Sequence, residues 1–189
     1  MQTIDGRLAS LSVLSVILLA LGYAVSGGTY LSLFNLQSMA SQVPEIGLLA
    51  IGVMLAMCAG NGGIDLSGIA LANLAGVASG LVAKQLFDVN EAPWLFTLSF
   101  AAGAVIVGCL GGLLNGLIIS RLGITPILCT LGTQMLFTGL AVVFSDGRSV
   151  TIGSPEPMYQ LGSGVFLEIP YSFMIFLAVA LVLAFVLRF

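Results

Sequence analysis

Gly60-Asn61-Gly62-Gly63-Ile64-Asp65-Leu66-Ser67 interrupts a long apolar region and decides how the chain on either side is read. Asp65 is the only ionised side chain between Glu45 and Lys84. The glycines and Asn61 break a helix there, and an acid and a hydroxyl follow at once. An Asp at the centre of a lipid-spanning helix costs about 2.5–3.5 kcal/mol on the insertion scale. Either Asp65 sits off centre or the break serves a purpose.

The rest of the composition makes lipid the surrounding solvent. Of 189 residues, 59% are hydrophobic and 7% charged, against about 25% charged in a soluble domain. A chain rich in glycine and without histidine fits helices packed closely in lipid. A β-barrel would alternate polar and apolar residues instead. Net charge is −3 and the five basic residues lie far apart, so no basic patch exists for nucleic acid.

Catalysis finds little support. Without His there is no base of the usual kind to activate a Ser or Cys nucleophile. An intramembrane aspartyl protease needs two facing carboxylates, and Asp65 is alone among the spans. No G-x-x-x-x-G-K-[ST] loop is present, so the chain is expected to use no nucleotide and to carry no cofactor itself. Cys58, Cys109 and Cys129 fall in apolar runs without C-x-x-C spacing. They read as small buried hydrophobes, and a metal site is not expected.

A helix crosses a bilayer with about 20 apolar residues. Leu8–Val25 is the first span. It could also be a signal peptide with Ala24 and Ser26 near the cleavage point, but Asp5 cancels Arg7 in the n-region, which favours an uncleaved span. Leu31–Val43 is too polar for a simple span. Asn35, Ser38 and Gln42 share one face, which predicts an amphipathic or re-entrant segment, with a polar connector as the alternative. Pro44 suits the first turn of a helix. Ile46–Gly60 would then reach only about 22 Å across a core near 30 Å, leaving Asn61–Asp65 at or near membrane depth.

Leu66–Phe87 is the third helix, with Asp65 or Ser67 placed to cap it. Trp94–Ser120 is the fourth span, with Trp94 as an interfacial anchor. Pro126–Phe144 is the fifth. Ser145-Asp146-Gly147-Arg148 turns the chain into a polar loop, and Tyr171–Leu187 is the sixth span. The expected class is an all-α, polytopic transmembrane bundle with about six spans, over a single domain, 1–189. Placing Arg7, Arg121 and Arg188 in the cytoplasm leaves only Lys84 and Arg148 outside, as the positive-inside tendency requires.

Two ladders of small residues recur at every fourth position. One is Gly68, Ala72, Gly76 and Gly80; the other is Ala104, Gly108, Gly112 and Gly116, continued by Ser120. Such ladders let helix backbones approach closely in lipid, so they predict packing rather than chemistry.

Asp65 has three readings. It can cap the third helix, line a solute path or gate, or relay a proton. The cap is favoured and is compatible with the path, because broken helices often lie beside transport sites. Asn73 and Asn115 are expected to bond between helices, with pathway lining as the lesser alternative. Thr130-Leu131-Gly132-Thr133-Gln134 is a polar patch that either lines a path or satisfies its neighbours. The candidate pathway or gating residues are therefore Asn61, Asp65, Ser67, Asn115, Thr130, Thr133 and Gln134.

Several motifs occur in order: Gly62-Gly63-Ile64-Asp65-Leu66-Ser67, Gly112-Leu113-Leu114-Asn115-Gly116, Leu122-Gly123-Ile124-Thr125-Pro126 and Thr130-Leu131-Gly132-Thr133. Gly139-Leu140-Ala141 and Gly147-Arg148 follow. From about Pro44 onward the chain resembles the permease subunits of bacterial ABC importers for ribose, xylose, galactose and similar sugars. The resemblance implies a multi-pass protein of the cytoplasmic (inner) membrane that translocates a sugar or other small polar solute.

It also implies partners. These are a cytoplasmic ABC ATPase that uses the ATP, a second permease subunit as a homo- or heterodimer, and a periplasmic solute-binding protein. Gly68-Ile69-Ala70 stands where the family usually has Val-Gly-Ser, and Thr138 where Arg is common, which implies a subgroup with its own solute preference. Members run on for roughly another hundred residues, a domain's worth of chain. The expectation is a C-terminally truncated permease domain. The alternative is a truncated, non-transporting assembly or regulatory membrane protein.

Overall fold

The computed structural model describes residues 6–59 and 63–188. Six of its helices are long and apolar enough to cross a membrane. They are α1 (Gly6–Val25), α2 (Leu33–Ala59), α3 (Gly68–Leu86), α4 (Pro93–Leu122), α5 (Pro126–Phe144) and α7 (Tyr171–Arg188). A short helix, α6 (Glu156–Ser163), and a two-residue hairpin, β1 (Val165–Phe166) with β2 (Ile169–Pro170), fill the loop before α7. The chain is an all-α, multi-pass bundle.

The punctuation is largely local. Pro93 and Pro126 stand in the first turns of α4 and α5, where a missing N–H is harmless and φ is already helical. Gly123 ends α4 at φ 66°, a left-handed value that a residue without Cβ adopts at least cost. Between α3 and α4, Asp88 Oδ1 accepts from the amides of Asn90 at 2.7 Å and Glu91 at 3.3 Å, closing the turn. The antiparallel hairpin pairs Val165 with Pro170 and Phe166 with Ile169. Leu167 and Glu168 between them both take positive φ, as a type I′ turn requires.

α2 departs from the expected layout. Leu31–Val43 is not a separate amphipathic or re-entrant segment, and the second helix is not short. One 27-residue helix runs through Pro44 to Ala59, about 40 Å at 1.5 Å per residue. Interior proline forfeits one hydrogen bond, that of the carbonyl four residues back. Here its ring is buried, and membrane helices tolerate the loss when neighbours compensate. The polar residues near the start of α2 find partners within the helix, just before it and in the hairpin ahead of α7. Asn35 Nδ2 donates to Tyr30 O at 2.7 Å, Ser41 Oγ to Gln37 O at 2.9 Å, and Gln37 Nε2 to Glu168 O at 3.1 Å.

Two helix groups make the bundle. α3 packs most extensively on α4 and then on α5. Ala70, Leu74, Phe137 and Ala141 form the core there, with Leu71, Val107 and Leu140 against it. α2 packs on α7, where the Phe176 ring lies 2.5 Å from the place a Gly47 Cβ would occupy. Contact between α2 and α3 is slight, so the groups stand apart along much of their length.

The small residues at the closest α3–α4 approach are one position off the expected ladder. A Cβ on Gly111 would meet Leu71, and one on Gly103 would lie 3.0 Å from Ser79 Oγ. Gly80 faces Ile152. Gly68, Gly76, Gly108, Gly112 and Gly116 face open space within the chain. Ala72 and Ala104 join Gly68, Gly76 and Gly108 along an open groove. Cys129 is buried as expected, whereas Cys58 and Cys109 lie on the outer surface of the bundle.

Candidate functional site

Asp65 and Ser67 lie on the non-helical segment just before α3, where Ser67 is the N-cap residue. Asp65 Oδ1 accepts from the Ser67 amide at 2.8 Å and from the Ser67 hydroxyl at 2.7 Å. This corrects the cap expectation in detail. The Ser67 side chain makes no cap bond, and Asp65 satisfies the N–H of the N-cap residue itself, through an Asx-type turn. Spacing decides it: a carboxylate two residues before the cap reaches the cap amide more readily than the next turn.

The network continues across the α3–α4 interface. Asn115 Nδ2 donates to Ser67 Oγ at 2.8 Å. Ser67 has one hydroxyl proton, already given to the carboxylate, so Asn115 must be the donor. Asn115 Oδ1 is then left buried without a partner among the described residues, in a side chain only 5% exposed. Ser67 is fully buried. Asn115 thus bonds between helices, as expected.

Thr130 fastens the same segment to α5. Its hydroxyl lies 3.2 Å from Ile64 O and 3.4 Å from Ile127 O. Thr133 does something else: it is buried, with its hydroxyl 3.2 Å from Cys129 O and 3.3 Å from Thr130 O inside its own helix. Gln134 is half-buried and lines no cleft with the others. Asn61 lies outside the described residues.

Asp65, Asn115 and Thr130 line a cleft of about 340 Å³ together with Ala59, Gly63 and Gly112. Its size falls at the small end of ligand pockets, about 300–1,000 Å³. Depth follows from helix lengths. α4 has 30 residues, and Asn115 lies about 11 Å from its midpoint. In a core about 30 Å thick, a centred α4 puts Asn115 about 4 Å inside the hydrocarbon edge. That placement puts the break off centre, where the cost of an acid falls.

A second, larger cleft of about 830 Å³ opens between the two helix groups. Glu45 of α2, Asn73 of α3, Ser145 at the end of α5 and Ser149 line it. Asn73 faces this space and makes no interhelical bond among the described residues, the reverse of the expected default. Glu45 is a site residue that the sequence pattern does not mark. The signal was present, an acid in an apolar region, but reading Pro44 as a helix start put Glu45 at a helix end rather than in an interior. No cluster of three His, Cys, Asp or Glu side chains comes together among the described residues.

Comparison with known proteins then extends this picture. A family model described as the permease component of branched-chain amino acid transport systems matches residues 35–189. The L-arabinose ABC transporter permease protein of Azospirillum brasilense is 34% identical, over 72% of this chain and 37% of its own length. The ribose import permease protein of Bacillus subtilis is 31% identical, over 97% of this chain and 53% of its own. The autoinducer 2 import system permease protein of Salmonella paratyphi B is 28% identical, over 99% and 51%. The chain spans about half or less of the length of these curated relatives. No solved structure matches it.

Proposed function

The chain belongs to the family of branched-chain amino acid transport system permease components, and from that membership we propose that it is a membrane permease component of an ABC importer for a sugar or similar small polar solute. One observation carries the reading within the chain: the Asp65–Ser67–Asn115 network, fastened to α5 by Thr130, borders a cleft at a helix break. Broken helices beside polar clefts are where transporters handle solute. The relatives named for L-arabinose, ribose and autoinducer 2 import support the solute class.

The work is translocation rather than catalysis. Energy comes from a partner: a cytoplasmic ABC ATPase binds and hydrolyses ATP and drives the permease between its two orientations. A second permease subunit, the same chain or a paralogue, completes the path, and a periplasmic binding protein delivers solute. The membrane is the bacterial inner membrane. Arg7, Arg121 and Arg188 face the cytoplasm with the N-terminus, while Lys84 and Arg148 face outward, in keeping with the distribution of basic residues.

Co-purification tests the reading. The tagged chain, expressed with the ATPase subunit of a sugar-type ABC importer and extracted in mild detergent, retains that ATPase in stoichiometric amount. Loss of the ATPase at the first wash, from a well-folded sample, points instead to a membrane protein with no part in ATP-driven import.

A further inference from the structure

The larger cleft is lined in a way that selects its occupant. Glu45, Asn73, Ser145 and Ser149 face it, and none of its lining residues is Lys or Arg. Such a lining supplies carboxylate, amide and hydroxyl groups but no cation to pair with a carboxylate or phosphate. Two carboxylate oxygens side by side match a pair of adjacent hydroxyls. Phe100 and Val77 add apolar surface for the C–H face of a ring.

Glu45 stands in the interior of α2, 27 residues long, and makes no side-chain hydrogen bond or ion pair among the described residues. Acids inside membrane spans face a bundle interior or a water-filled path. Glu45 faces the larger cleft.

The two clefts also lie in series. α2 gives Glu45 to the larger and Ala59 to the smaller, and these positions are about 21 Å apart along the helix. Beyond the break α3 gives Ile69 and Asn73 to the larger, and Asp65 before it borders the smaller. Ser67 and its network stand between. We infer that the larger cleft is a vestibule for a neutral polyhydroxylated solute, in which Glu45 accepts hydrogen bonds from an adjacent pair of hydroxyls and Asn73 meets the solute on its way to the break. The inference rests on the transport reading given above.

The test is equilibrium binding to the whole chain in lipid nanodiscs, read by saturation-transfer NMR with D-ribose, L-arabinose and L-leucine as probes. At least one sugar binds saturably and leucine does not. Glu45→Gln, which keeps the side chain's size, weakens sugar binding by at least about tenfold, the loss expected on replacing a charged acceptor. Asn73→Ala weakens it as well. Ser12→Ala on α1, remote from both clefts, leaves affinity unchanged.

Absence of saturable sugar binding, preference for leucine, or equal affinity in well-folded Glu45→Gln overturns the vestibule. ATP-driven uptake separates this from the transport reading. Uptake at the unsubstituted rate by Glu45→Gln removes the vestibule and leaves transport standing. No uptake by the unsubstituted chain with its partners removes both.

Discussion

Asn115 on α4 donates to the Ser67 hydroxyl at the head of α3, 2.8 Å away, and the direction of that bond is fixed by Asp65. The carboxylate takes the only hydroxyl proton, so the amide must give one. A helix break, which by itself would loosen the bundle, is thereby tied to α4, while Thr130 ties it to α5 through Ile64 O.

The bond predicts energetic coupling. Interhelical hydrogen bonds in membranes average about 0.6 kcal/mol in double-mutant cycles, with a maximum near 1.7. The Ser67–Asn115 pair belongs toward the upper value, because the serine is polarised by an ionised acceptor. A cycle of Ser67→Ala, Asn115→Ala and the double variant, followed by denaturing-detergent titration, measures it. Additive losses within error would mean that the pair does not interact.

Asp65 separates geometry from charge. Asp65→Asn keeps an oxygen for the Ser67 amide and hydroxyl. Asp65→Leu strands both donors around a fully buried residue, at about 1–3 kcal/mol. Thermal unfolding in nanodiscs should place the Asn variant within about 1 kcal/mol of the unsubstituted chain and the Leu variant well below it. If uptake survives Asp65→Asn but not Asp65→Leu, the acceptor geometry is what transport needs; equal stability of the two variants would dismiss the turn as a structural element.

Neighbouring glycines should differ sharply. Gly111→Leu forces side-chain atoms against Leu71 in the α3–α4 interface, and overpacking of this kind costs about 1–3 kcal/mol. Gly112 faces open space and lines the smaller cleft. Gly112→Leu should leave unfolding of the isolated chain nearly unchanged, while filling the cleft and slowing uptake. A reversed order of stabilities would contradict the register of the α3–α4 contact.

Much of this was legible in the residues, and the misses have physical reasons. Pro126 to Phe144 begins at a proline and ends at a polar turn, and the fifth span has those bounds. Asp65, Ser67, Asn115 and Thr130 were singled out as polar groups in apolar runs, and they meet because lipid leaves such groups few other partners. Pro44 misleads because proline opens helices in water yet is tolerated inside them in membranes; the sequence pattern therefore divides α2 and places Glu45 at a helix end. The ladder beginning at Ala104 followed four-residue periodicity, but that spacing does not say which neighbouring face meets α3. Gly103 and Gly111, each one position before a residue of the ladder, are the residues that do.

The central claim, that this chain carries a solute path driven by a partner ATPase, is tested most directly by uptake. Proteoliposomes holding the chain together with an ABC ATPase, a permease partner and a solute-binding protein of the sugar-importer type should accumulate radiolabelled sugar only when ATP is supplied on the ATPase side. The signal should vanish when this chain is left out. Accumulation that proceeds equally without it, or that stays at the ATP-free level in a fully assembled complex for every sugar offered, would contradict the account.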